Sequence, residues 1–304
     1  MLGDVQVVES VLRAPHGLLE APRIGPAGEL VFSDVIAGGL WECSPGGGVR
    51  ELLPKRRGIG GAVPHADGGW VISGRSVIHL GPGGEQRELL GAEGVCGYND
   101  LGTTSDGRLL AGVLNYRPLA GEDPMPGQLL VLDPEGPRVI SEEVTWPNGI
   151  GCSPDGATVY LSDYARGAVL AVPLSGGSAD EFCSSPRGSA DGLAVDVEGG
   201  VWIALGEGGG VARFHPDGRL HEIVELPASF VSSLSFGGPD MREVLITTAD
   251  NEVDPELGGT LLRARSEVAG LALAPVRDGA GARARGASGP AGGAIRWPAD
   301  EHGA

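Results

Sequence analysis

Four oxygen-bearing side chains stand at comparable places along this chain: Glu20, Asn99, Asn148 and Asp191. Two are carboxylates, two are carboxamides, and no His or Cys recurs with them. Such oxygens suit a hard cation, with Ca2+ the first choice and Mg2+ or Mn2+ behind it. Zn2+ usually prefers nitrogen or sulfur ligands, although it could occupy such a site in vitro. Taken singly, Asn148-Gly149 and Asp191-Gly192 read as ordinary turn formers. They acquire chemistry only if the fold makes them converge, because like carboxylates facing one another in a narrow space repel and a cation relieves the repulsion.

The elements that would position them repeat along the chain. A short strand, an Asp-Gly type turn and a stronger strand recur around Gly28, Asp67-Gly68, Asp106-Gly107, Asp155-Gly156, Glu198-Gly199 and Pro239-Asp240. A third apolar stretch follows each, as at 40–43, 77–80, 129–132, 169–172, 211–214 and 261–263, and a more polar fourth often comes next. The residues ahead of the first strands are Glu20, Gly61, Asn99, Asn148, Asp191 and Ser232, separated by 41, 38, 49, 43 and 41 positions. Six units of about forty residues predict an all-β, six-bladed β-propeller, a single domain over 1–276. The last unit has only about three strands before its pattern fades near Val276. The stretch 5–12 has no blade of its own and is expected to supply the missing strand, since an open ring would expose sheet edges. Residues 277–304, rich in Gly, Ala, Arg and Pro without apolar periodicity, read as a loosely attached tail.

Composition narrows the function classes. Lys plus Arg is 22 against 40 Asp plus Glu, a net charge of −18, which argues against nucleic-acid and anionic-membrane partners. No run approaches the ~18 apolar residues of a membrane span. The first twelve residues lack a basic segment followed by an apolar core, so a cytoplasmic protein is the expectation. The cysteines, Cys43, Cys96, Cys152 and Cys183, form no CxxC pair and read as free thiols. HExxH, GxSxG and P-loop motifs are absent, and the glycine run 206–210 precedes a strand, not a helix. His16 is expected to be a spectator, and His65, beside Asp67-Gly68, a turn-side surface residue.

Three stretches carry a resemblance to a known family: Gly17-Leu18-Leu19-Glu20-Ala21-Pro22, Trp146-Pro147-Asn148-Gly149-Ile150 with Ser153-Pro154-Asp155-Gly156, and Ser189-Ala190-Asp191-Gly192-Leu193. The chain resembles the gluconolactonase, regucalcin (senescence marker protein) and luciferin-regenerating enzyme family over roughly 14–265. The resemblance implies one divalent metal in the channel, held by Glu20, Asn148 and Asp191, and hydrolysis of sugar lactones or related esters. Asn99, in Gly97-Tyr98-Asn99-Asp100, matches the family's substrate-side asparagine. Where regucalcin-like sugar lactonases carry an Arg, this chain has Gly97, and the loop after it brings Tyr116, Arg117, Pro118, Leu119, Met125 and Pro126. Tyr116 and Arg117 are therefore candidate substrate contacts, in a pocket expected to be more apolar than that of a sugar lactonase.

The expected activity is a metal-dependent carboxylic-ester hydrolysis of the gluconolactonase kind. The ion polarises the carbonyl, water attacks, and Asp191 acts as general base. Asp100 and Asp163 are conceivable second bases. The alternative class is a non-hydrolytic propeller, an isomerase, a dehydratase or a binding scaffold built on the same site.

Overall fold

The computed structural model describes residues 1–8, 17–25, 27–249 and 258–278. Six four-stranded antiparallel sheets surround one axis as the blades of a propeller. The innermost strands are Leu19–Ile24, Ala62–Pro64, Gly97–Thr103, Pro147–Cys152, Leu193–Val195 and Val231–Gly237, each followed outward by the next strands in sequence. The expected second-, third- and fourth-strand positions recur, as at Leu40–Cys43, Val77–Leu80 and Gln86–Leu90.

Blades pack face to face through alternating apolar residues, because successive side chains of a strand point to opposite sides. Val63 and Val71 of the second blade meet Leu101, Leu109 and Ala111 of the third, all fully buried or nearly so. Each such Val or Leu contributes about 1.5–3 kcal/mol by leaving water. The ring is closed by the N-terminus, as expected: Gln6–Val7 pairs antiparallel with Leu261–Arg265 as the outer strand of the sixth blade. Val5 and Val7 pack on its core beside Val244 and Leu262. Residues 9–12 of the expected strand, and His16, lie outside the described residues.

Near the axis the inner strands approach so closely that side chains must be absent. A Cβ on Gly149 would overlap the backbone nitrogen of Leu193, and one on Gly192 would overlap Ser233. Neither glycine adopts a positive φ, so Asn148-Gly149 and Asp191-Gly192 are not turns: each glycine lets the next blade in. Backbone bonds lock these approaches, with Gly149 N donating to Asp191 O (3.2 Å) and Gly192 N to Ser232 O (2.9 Å).

The first-to-second strand turns of the blades lie at the far end of the axis. A C-terminal segment crosses that end. Leu271 N donates to Val195 O (2.8 Å), Val276 bridges His65, and Arg277 N donates to Gly107 O (2.9 Å). Asp278 pairs with His65 Nε2 (2.9 Å) and with Arg87. Two corrections follow. Residues 277 and 278, expected to open a loose tail, are held to the propeller. His65, expected on the surface, is buried and stacks on His79 with ring centroids 3.7 Å apart. Residues 279–304 lie outside the described residues. No helix among the described residues is long and apolar enough to cross a membrane.

Two substitutions test this packing. Gly149→Ala should destabilise by about 1–3 kcal/mol in denaturant unfolding, since the neighbouring backbone cannot yield without strain. Deleting residues 1–8 should lower the melting temperature by unpairing Leu261–Arg265, whereas deleting 279–304 should leave it nearly unchanged. A fully stable Gly149→Ala protein would refute the close-approach account.

Candidate metal and active site

Four inner strands carry an irregularity where a functional side chain must leave the regular pleat. Register slips fall between Glu20 and Arg23, Tyr98 and Leu101, Pro147 and Ile150, and Val231 and Ser233. Such bulges re-aim side chains and are common beside active sites. The first is sharpened by Ala21, which holds φ at 52°, a conformation costly for a residue with a Cβ. Asp191 enters just ahead of its strand, its own N–H donating to Ala204 O (3.0 Å).

Glu20, Asn148 and Asp191 are thereby brought together, all buried, at one end of the axis. The Asn148 Nδ2 donates to Asp191 Oδ1 across the gap between two blades. Asn99 Nδ2 donates to Pro147 O (2.9 Å), and its Oδ1 fills the space that a side chain at Gly60 would need. Asp100 is buried beside this group and accepts from Leu101 N (2.7 Å).

The electrostatics are those of acids held out of water against one another. Burial first, then Asp191 and Asp100, push Glu20 well above the usual carboxylate range, against weaker opposition from the Ala21 N–H and Arg23. Burial, then Asp100 and Glu207, do the same to Asp191, partly offset by the Asn148 amide. Burial raises Asp100 to about 6, with Arg23 and backbone N–H groups pulling it down. This donor set fits a hard divalent cation. It offers two buried carboxylates and carboxamide oxygens, and no cationic side chain is in ion-pair contact with either acid among the described residues. It is sparse in carboxylates: no group of three or more His, Cys, Asp or Glu among the described residues could hold a metal.

Loops joining second to third strands, and one blade to the next, surround this end. Tyr116 is buried and meets Trp146 edge-on at 6.4 Å, and Trp146 lies 4.5 Å from Tyr164. Asp163 organises this wall by accepting from Thr145 N (2.8 Å) and Trp146 N (3.1 Å) and by capping the turn Tyr164–Arg166. Its lone pairs are thus engaged in structure. Arg117 is exposed, with its guanidinium on Glu122. Sequence reading missed Glu207, which accepts from Ser189 Oγ (3.0 Å) and faces Tyr164 Oη at 3.5 Å. Burial raises the Tyr164 hydroxyl to about 12, with the Ser189 hydrogen bond opposing and Asp191 and Glu207 adding. The available signal was topological: the 206–210 run joins second and third strands, which ends at the same face as Asp191.

Comparison with known proteins bears on the same region. The sequence model of the family described as SMP-30/Gluconolactonase/LRE-like region matches residues 18–250. A 6-deoxy-6-sulfogluconolactonase of Pseudomonas putida is 32% identical over 88% of this chain and 97% of its own. The pentonolactonase XacC of Haloferax volcanii is 26% identical over 75% and 80%. The crystal structure of a calcium-binding protein, regucalcin, from Agrobacterium tumefaciens superposes with a TM-score of 0.79. It is 22% identical, over 90% of this chain and 97% of that one.

The raised acids set the pH dependence of stability. Unfolded Asp and Glu titrate near ~3.9 and ~4.3. Above those values the native state holds more protons than the unfolded state, so stability falls as pH rises. Chelated protein should therefore melt at progressively lower temperature from about pH 4 through 6, where Asp100 ionises, and beyond it for Glu20 and Asp191. Asp191→Asn should flatten the decline, and Ca2+ should restore stability most strongly above pH 6. A melting temperature that rises with pH in chelated protein would overturn this account.

Proposed function

The chain belongs to the SMP-30/gluconolactonase/LRE-like family, and from that premise we propose that it hydrolyses a lactone at the acidic end of its channel. The observation that carries the reading is the buried constellation of Glu20, Asn148 and Asp191 on three different blades. Those side chains would hold one divalent cation, Ca2+ by ligand preference, and the bound ion would supply Lewis-acid polarisation of the lactone carbonyl.

Asp191 acts as the general base. Its buried carboxylate, beside the place the cation would take, removes a proton from the attacking water. The water oxygen bonds to the carbonyl carbon, the ring C–O bond breaks, and the proton held by Asp191 passes to the departing alkoxide, giving a hydroxy acid. Asn99, fixed through its amide nitrogen, orients the substrate at the same layer. Tyr116, Trp146 and Tyr164 supply one wall for the substrate ring. Ser189 and Glu207 offer hydrogen-bond partners beside Tyr164.

The two relatives named as lactonases, a 6-deoxy-6-sulfogluconolactonase and a pentonolactonase, support a sugar-acid lactone here. A second reading, a less hydroxylated lactone or ester, is favoured by Gly97 and by the apolar residues of the loop after it. Arg117, engaged by Glu122, is available to either substrate only if that pair opens.

A panel of lactones assayed with and without chelator tests the reading. Asp191→Asn should lose about 100-fold or more of kcat, in the range of a general-base deletion. Glu20→Gln and Asn148→Ala should lose the ion and turnover while keeping the β-sheet circular dichroism. Turnover by Asp191→Asn at the wild-type rate, untouched by chelator, would reject the mechanism. A higher kcat/KM for an alkyl lactone than for gluconolactone would favour the second reading. A preference for gluconolactone that collapses in Arg117→Ala would make Arg117 the residue that reads the sugar.

A further inference from the structure

Below the acidic layer the axis holds a cavity of about 170 Å3. It lies among the later residues of the inner strands, and residues 271–274 of the C-terminal segment form its far wall. Its lining is unusual in what it leaves unmatched. The Arg23 Nε, the Thr103 hydroxyl and the Ser235 hydroxyl are all buried, and none has a hydrogen-bond partner. All three residues line this one cavity. They come from the first, third and sixth blades, so no single loop accident explains their meeting.

Arg23 is the one charged residue in that lining. Its Nη1 donates to Pro22 O (2.7 Å), and no carboxylate is within ion-pair distance of it among the described residues. A guanidinium with a free Nε and two idle hydroxyls presents three donors to the cavity, and the acids that act on Arg23, Asp100 and Glu20, lie outside its lining. The remaining walls are apolar, with Leu193, Phe236 and Leu271. A buried donor left unmatched is costly, so a polar cavity of this size holds either water or a ligand carrying acceptors. A bare inorganic anion would use the donors and leave the apolar walls wet. A ligand with a carboxylate at one end and a short alkyl chain at the other satisfies both.

We propose that this cavity is a second binding site, taking a short-chain monocarboxylate whose oxygens accept from Arg23, Thr103 and Ser235 and whose chain lies against Leu193, Phe236 and Leu271. The site is deeper on the axis than Glu20, Asn148 and Asp191, and its occupancy does not depend on the lactonase reading.

The probe is bromopropionate, whose bromine marks its position by anomalous scattering, with butyrate and the uncharged butanol for calorimetry. Expected are a bromine peak between Phe236 and Leu271, and butyrate binding that butanol does not match. Thr103→Val and Ser235→Ala together should weaken butyrate by about tenfold or more, as should Arg23→Met, the loss expected for hydrogen bonds to a charged group. The hydroxyl variants keep the test decisive if Arg23→Met fails to fold. Water alone in the cavity at saturating probe would overturn the proposal. So would bromide binding without bromopropionate, or butyrate affinity unchanged in the hydroxyl variants.

Discussion

Six inner strands can meet around one axis only if neighbouring backbones come closer than a side chain permits. That crowding is the constraint on which the rest of this molecule depends. Glycine at 149 and 192 removes the obstructing Cβ, and Gly61 does the same against Asp100 and Leu101. At Gly149 and Gly192 the residue ahead of the close approach is then carried to the channel, and its polar end has few other places to go. Asn148 and Asp191 are therefore paired across blades because Gly149 and Gly192 are small. The Asn-Gly and Asp-Gly pairs look like turn chemistry but serve interblade packing.

Convergence creates an electrostatic problem that the fold does not solve alone. Glu20, Asp100 and Asp191 are withdrawn from water together; Asp100 raises the proton affinity of both others, and Asp191 raises that of Glu20. The only nearby counter-charge pulling on two of them is Arg23, and it acts at long range, since no ion pair joins it to an acid among the described residues. Protonation or a bound cation are the two remaining remedies. Below pH 6 the first suffices, at least for Asp100. Near neutrality a cation is the remedy that leaves the carboxylates ionised, and the oxygen-rich constellation suits a divalent ion.

Much of this was legible in the sequence because turn chemistry is local. The recurring Asp-Gly turns fixed the strand period, and the period placed Glu20, Asn99, Asn148 and Asp191 at one level of the ring. The short seventh stretch at the N-terminus was legible through its mismatch with a three-stranded last blade, and Gln6–Val7 fills that place. What escaped depended on long-range contacts without a local signature. Asp278 reads as the start of a polar tail until His65 and Arg87 are seen beside it. Glu207 sits in a glycine run ahead of a strand, with no local sign that its loop ends at the Asp191 face. Arg23 has no motif around it in the sequence, and the bulge between Glu20 and Arg23 accompanies its place in the cavity lining.

The two ends of the channel consequently do different work. Loops between second and third strands are free to vary in length without disturbing the ring, so the acidic end carries the aromatic wall and the Ser189–Glu207 pair. At the other end the turns are tight, and the C-terminal segment ties the second, third and fifth blades through His65, Gly107 and Val195. The fold alone does not choose a reaction. The choice rests on a few side chains on the inner strands. Three residue steps separate Glu20, at the layer of the acids, from Arg23, at the layer of the unmatched donors. One short strand thus spans an acidic layer suited to a cation and a donor-rich cavity suited to an anion. The slip between those two residues lets both side chains face the axis, where regular alternation at odd spacing would have turned one of them away.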